Sequence, residues 1–335
     1  MRAAQVFFTL LLSITLHNQV WAWGHDGHES VGAIADRLIA KTNASTAVKK
    51  ILGRETLQQA AVWADCAKGI NPAHDFAYEP RFHTTVCRIY ESPAGQQALA
   101  DYVRRNDTNC TREEATVSCH KEYHYADVAI QQDGYKEGLV GTDDHDIVHA
   151  INAAIRVLKG QPAPAPFNIQ DKREALRLLA HFVGDIHQPL HVGAVYLDNQ
   201  GNVVDPDVSA YDPATKTNGG NSILINNVPL HAKWDAVPTD LQVAHVVTLA
   251  KLAKRVAPTP GAIFSWPDEW ATESVGVAQL AYEEIDFTAE DEARKEWPAS
   301  FIDTARYAKT MNAIKQQQIA AAGARLAQIL KKIWP

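Results

Sequence analysis

Residues 178–191, LLAHFVGDIHQPLH, set three histidines and an aspartate into an otherwise apolar stretch. Buried imidazoles and carboxylates cost free energy unless something satisfies them, so the fold must supply partners. A helix begun near Lys172 places His181 and Asp185 four residues apart on one face, where both can reach one ion. Pro189 ends or kinks that helix, and His191 beyond it is re-aimed toward the same region. His187, six positions from His181, falls on another face.

The pattern recurs in LHAKWD, where His231 and Asp235 are again four apart. Any one of these histidines could be a core residue satisfied by hydrogen bonds. Two such pairs, one trailed by a further histidine, favour a clustered metal site, and imidazole with carboxylate suits zinc. Upstream, VWADC puts Asp65 at the end of an apolar helix, and YHYAD puts His124 between tyrosines and near Asp127. WGHDGH places His28 five residues after Trp23.

Trp23 matters because the residues before it have the three-part plan of a secretory signal: Arg2, an apolar run over residues 7–16, then small residues. Cleavage after Ala22 would make Trp23 the amino terminus, with an α-amine and a carbonyl oxygen able to chelate a cation. The apolar run is too short to span a bilayer comfortably, and no later run is long enough. A signal peptide over 1–22, one catalytic domain over 23–335 and a secreted or periplasmic location are expected. Export permits disulfides, and Cys66, Cys87, Cys110 and Cys119 allow two bridges in any of three pairings. Their spacing has no CxxC pair, which argues against a metal role.

Apolar residues at three- and four-residue intervals predict helices over 30–39, 57–63, 147–158, 172–188, 241–256, 274–285 and 301–334. Short β-like runs at 191–197 and 222–225 make at most a small ribbon. The proline-rich segments 161–166 and 257–262 have the length of loops, not of tethers. The expected fold is one mainly α domain with a small β-ribbon and long loops. Lys and Arg number 32 against 39 Asp and Glu, a net charge of −7, so a basic surface that grips polyanions is not apparent.

Together these residues resemble the zinc-dependent single-strand-specific nucleases of the S1/P1 type, and more distantly the zinc phospholipases C that share their fold. The likeness runs from Trp23 to Asp235, and its most specific part is HFVGDIHQPLH followed by GGN and HAKWD. It implies three Zn²⁺ per chain. Asp65, His124, His181 and Asp185 would hold the first; Trp23, His28 and again Asp185 the third; His191, His231 and Asp235 the second. It further implies that hydroxide formed at a zinc pair attacks phosphorus, that Asp65 orients this zinc-bound water, and that products carry 5′-phosphates. Three such ions against three carboxylates would leave about +3 in one cleft of an acidic protein, drawing phosphate to the metals.

By the same resemblance Tyr125 stacks on a base and Asp127 bonds its edge. Lys68 stands where fungal members tend to carry arginine, keeping the charge without the bidentate fork. Asn221 of GGN is a polar site residue or a turn former. The long cysteine-bearing segment between Asp65 and His124 and the loop over 133–146 depart from the family pattern and flank the cleft. His25, His74, His83, His120, His145, His149 and His187 fall outside the matched positions and read as structural or surface. Expected substrates are single-stranded DNA, RNA and 3′-nucleotides, for a monomer with no obligate protein partner and no stable membrane association. The alternatives are a phospholipase C, which the short Trp23 to His28 spacing and Asp235 in place of glutamate disfavour, and a non-enzymatic zinc-binding protein.

Overall fold

Asp171 opens the helix that carries the central residues. Its carboxylate accepts from the backbone N–H of Arg173 and Glu174, a cap that contributes on the order of 1 kcal/mol. In the computed structural model, which describes residues 23–112, 117–208 and 210–335, helices dominate. They are α1 (Gly24–Ile39), α2 (Asn43–Leu52), α3 (Leu57–Ala60), α4 (Trp63–Ala67), α5 (Pro93–Arg105) and α6 (Cys119–Glu122) in the first part of the chain. After them come α7 (Ile147–Leu158), α8 (Lys172–Asp185), α9 (Leu230–Asp235), α10 (Val246–Ala253), α11 (Trp266–Tyr282) and α12 (Thr304–Ile333). The expected signal segment, 1–22, lies outside the described residues. Among the described residues no helix is long and apolar enough to cross a membrane.

α8 is buried along almost its whole length and packs on α7, α1, α3, α4 and α12. A helix surrounded in this way cannot leave polar side chains to solvent, so His181 and Asp185 must be satisfied inside. α8 ends at Asp185, three residues earlier than the periodicity predicts. The chain then turns through Gln188, whose side chain accepts from the backbone N–H of Leu190, into a short 3₁₀ turn over Pro189–His191. α12 crosses α1 closely at Gly323, where an added Cβ would stand 2.5 Å from Ile34 Cγ2.

The β-structure departs from the ribbon expected from 191–197 and 222–225. Ile223–Ile225 pairs parallel to Trp297–Phe301, which pairs antiparallel to Ile285–Phe287, and Val228–Pro229 completes a four-stranded sheet. The hairpin before α9 turns on Asn226 and Asn227, both at positive φ (54° and 61°), which asparagine tolerates better than most residues. The sheet thereby fixes the start of α9. Gly193–Ala194, in the other run, pairs parallel to Val128–Ala129. With the bond from Ala126 N to His191 O (2.8 Å), this pairing holds the His124 segment against the His191 segment.

The four cysteines form Cys66–Cys87 and Cys110–Cys119. One bridge ties the residue after Asp65 to the intervening segment, and the other ties α6, five residues before His124. Two disulfides, with no free cysteine among the described residues, fit an oxidising compartment.

His145 is buried beside this segment but is occupied elsewhere. Its Nε2 lies 2.9 Å from Glu122 Oε2 and its Nδ1 2.8 Å from Asp144 Oδ1. Burial opposes its charge, yet the hydrogen bonds to Glu122 and Asp144 and the charge of Asp143 outweigh it and raise the pKa from 6.5 to about 9. A raised pKa contributes stability that is complete below 6.5 and is lost as pH climbs through about 9. Urea midpoints should show this loss across that window, and Glu122→Gln, compared with the parent at each pH, should largely remove it. An unchanged pH profile in the variant would refute the pairing.

Candidate metal centre

The residues singled out from the sequence converge at one end of α8. His28, His181 and Asp185 present ligand atoms within 4.8 Å of one another; so do Asp65, His124 and His181, and separately His191, His231 and Asp235. All eight side chains are buried. Asp185 is the common member: its Oδ1 lies 3.1 Å from His28 Nε2, and its Oδ2 lies 2.8 Å from His124 Nδ1 and 3.1 Å from His181 Nε2. Gly184 makes the approach of α1 possible, because a Cβ there would stand 2.7 Å from His28 Nδ1.

Three of the imidazoles have fixed tautomers. His181 Nδ1 lies 2.6 Å from Ala61 O, His191 Nδ1 2.7 Å from His124 O, and His231 Nδ1 2.7 Å from Gly219 O. A carbonyl oxygen can only accept, so each Nδ1 carries a proton; burial lowers the pKa of His191 and His231, which then turn bare Nε2 lone pairs into the cluster, while Asp185 and Asp65 raise that of His181. His231 Nε2 and His191 Nε2 then face each other at 3.1 Å, two acceptors with no proton to share. That contact repels unless a cation lies against both. Backbone carbonyls on the outer ring nitrogen are also the usual partners of metal-ligating histidines.

The carboxylates tell the same story. His28 Nε2, both oxygens of Asp65, His124 Nε2, Asp185 Oδ1 and Asp235 Oδ2 are buried without a hydrogen bond, although His28 Nε2 with Asp185 Oδ1, Asp65 Oδ1 with Lys68, and Asp235 Oδ2 with His231 stand at ion-pair distance. Burial pushes the Asp235 carboxyl well above its ordinary range, with only the Gln188 amide opposing strongly. Asp65 and Asp185 are held below theirs, because Lys68 and the imidazoles overcome the effect of burial. A nitrogen and oxygen donor set with orphaned lone pairs fits divalent cations of the zinc type.

The sequence model of the S1/P1 nuclease family matches residues 23–335. The chain belongs to the S1/P1 nuclease family. It is 27% identical to Endonuclease 4 of Arabidopsis thaliana over 203 residues, 60% of this chain and 54% of that protein. It is 30% identical to Endonuclease 1 of the same plant over 141 residues, 37% of this chain and 46% of that protein. The chain thus spans about half the length of these curated relatives. It is an S1/P1 family member that carries candidate metal-binding clusters.

Other residues of this S1/P1 family member take more specific positions. Trp23 is buried, with its backbone nitrogen 3.1 Å from Asp235 Oδ1 and its carbonyl accepting from Gly27 N. Lys68 Nζ lies 2.8 Å from Asp65 Oδ1. Asp127 is buried beside Lys216, at 3.2 Å, and Lys216 Nζ sits 5.7 Å from the centroid of the Tyr125 ring. The Asn221 amide donates to Asn218 O within a turn. A cavity of about 350 Å³ opens beside the cluster between Gly24, Asp26, Thr84, Val86, Asp235 and Val237.

The sequence reading passed over three contributors to this site. Gln188 Nε2 donates to Asp235 Oδ1 at 2.8 Å and could have been noticed, since it lies inside the HQPLH run. Lys216 is a single lysine in a segment with no period or motif, and Lys315 is one of several lysines on the helix predicted over 301–334. Lys315, 1% exposed, donates to Lys233 O and Ala236 O, at 2.7 and 2.6 Å, across the last turn of α9.

Proposed function

We propose that this chain is a zinc-dependent phosphodiesterase that cuts single-stranded DNA and RNA and also hydrolyses 3′-nucleotides, leaving 5′-phosphates. The observation that carries the reading is the pair of unprotonated Nε2 atoms on His191 and His231, 3.1 Å apart, beside a carboxyl that burial drives toward its neutral form. A cation held between them would relieve the repulsion of the two lone pairs.

Asp65, His124, His181 and Asp185 would hold one Zn²⁺, His191, His231 and Asp235 a second, and Trp23 and His28 with Asp185 a third. Bound zinc supplies a Lewis acid for phosphate oxygens and lowers the pKa of bound water toward neutrality. Asp65, with one oxygen against Lys68, orients the attacking water through the other and accepts its hydrogen bond. Lys68 adds positive charge where the scissile phosphate gathers negative charge. Tyr125 offers a ring face to a base, a sequence-tolerant contact, and Asp127 accepts from the base edge once Lys216 yields its place. Burial lowers the pKa of His28, His124, His191 and His231 and so favours their neutral, ligating form, while Asp185 and Asp65 outweigh burial at His181. The protein is secreted or periplasmic and works as a monomer.

The test is metal analysis of protein beginning at Trp23, paired with two assays: release of acid-soluble nucleotides from single-stranded DNA, and hydrolysis of phosphatidylcholine. Three zincs with activity on DNA alone are expected. Fewer than two, or activity on the lipid alone, would refute the reading.

Chelation should remove activity and stability together. A single site with free ion at 1,000 times its Kd contributes about 4 kcal/mol. At roughly 2–4 °C per kcal/mol, stripping the ions should lower Tm on the order of 10 °C. Lost activity with an unchanged Tm would mean that the ions do not bind between these helices.

A further inference from the structure

Asp127 and Lys216 meet from two segments whose backbone is held in place. Asp127 N donates to Gly141 O at 2.9 Å, and the Tyr196 hydroxyl donates to Asp127 O at 2.6 Å. Lys216 follows a 3₁₀ turn over Pro213–Thr215 and forms a β-bridge to Tyr196. The buried Thr217 beside it donates its hydroxyl to Val195 O at 2.6 Å. Both segments are thus fixed through Tyr196 and its neighbour. Their side chains pair at 3.2 Å between Lys216 Nζ and Asp127 Oδ2, with 13% and 4% of the two side chains exposed.

An ion pair so far out of water gains little net stability, because desolvation offsets the attraction. Its surroundings give it another use. Lys216 Nζ stands 5.7 Å from the centroid of the Tyr125 ring, so the pair borders the face on which a base would stack. A Cβ on Gly219 would stand 3.4 Å from both Asp127 Oδ1 and His231 Nδ1. The carboxylate therefore lies across a single glycine from a candidate metal ligand.

We propose that Lys216 is a specificity-determining residue that, with Asp127, selects guanine at the base site. The proposal rests on the phosphodiesterase reading above and names the base that site prefers. Asp127 offers two acceptor oxygens side by side, and Lys216 places a donor next to one of them. When the base arrives, the ammonium gives up Oδ2 and turns to the neighbouring base atom. Guanine matches this order along its Watson–Crick edge: O6 accepts from Lys216, and N1–H and the N2 amino group donate to the two carboxylate oxygens. Adenine and cytosine bring one donor group each and fill one carboxylate oxygen. Uracil sets its single N–H between two carbonyls, one of which meets the second carboxylate oxygen and is repelled.

The experiment compares kcat/KM of the zinc-loaded protein on GpG, ApA, CpC, UpU and the matching dinucleotide of 2-aminopurine, which keeps the N2 amino group but lacks O6 and N1–H. Repeating one base on both sides of the phosphate makes the result independent of which nucleoside fills the site. GpG should be cut best, and its advantage over the 2-aminopurine substrate should be about tenfold or more, the usual effect of losing a hydrogen bond to a charged group. Lys216→Met should shrink that ratio by about tenfold, and Lys216→Arg, which keeps a charged donor, should restore most of it. The comparison of substrates in the parent needs no variant to fold. A parent that does not prefer guanine would overturn the proposal. So would an equal loss on every substrate in Lys216→Met, which would mark a structural role. Failure of the parent to cut any of these dinucleotides would instead overturn the phosphodiesterase reading.

Discussion

Asp185→Asn is expected to cost more than the 10- to 100-fold typical of losing an outer-shell metal partner, because in the proposed function Asp185 is a direct ligand of two ions. The substitution keeps shape and removes charge. Three imidazoles, from His28, His124 and His181, meet this one carboxylate at 2.8–3.1 Å. Burial alone would raise its pKa, but His181, His191 and His28 and the hydrogen bond with His124 hold it well below the ordinary range. An asparagine would turn an N–H toward lone pairs that the fold has aimed at a cation. Metal content per chain and the initial rate on single-stranded DNA check this together. A variant with full zinc and a parental rate would mean that Asp185 is not shared between ions.

Lys315→Met should destabilise the protein by about 2–5 kcal/mol, read from denaturant midpoints. The ammonium is completely enclosed and donates to two carbonyls at the end of α9, each of which would be left buried and unpaired at about 1–3 kcal/mol. It also sets a positive charge at the negative end of the helix carrying His231 and Asp235. Burial pushes the ammonium down to about 8, with Asp235 pulling the other way, so the site tolerates the charge at a cost. The expected signature is lowered stability together with weakened zinc retention, since Asp235 follows the turn that Lys315 holds. Parental stability in this variant would show that solvent replaces the ammonium freely.

The ligand constellation was legible because helix geometry writes it into spacing. His181 with Asp185, and His231 with Asp235, are four apart, and both pairs do face one cluster. The proline after α8 announced the change of direction that brings His191 back. The pairing of cysteines was not legible, since the three possible pairings differ only in how the segment over 66–119 folds. The sheet was missed for a local reason: Trp297–Phe301 contains a proline followed by Ala299 and Ser300, and Ile285–Phe287 is too short to show alternation. α2 and α5 were passed over although Thr42 and Ser92 cap them, because their apolar faces are narrow and largely alanine and valine. Lys315 and Lys216 carried no signal at all. A single lysine reads as a solvated charge until its partners, tens of residues away, are known.

The order of segments along the chain has a consequence for biosynthesis. Trp23 to Asp235 emerge first, yet the frame that clamps them is closed by α12, which lies against α1 at Gly323 and fastens α9 through Lys315. A growing polypeptide therefore holds its ligands in an unlatched arrangement until residues 304–333 arrive.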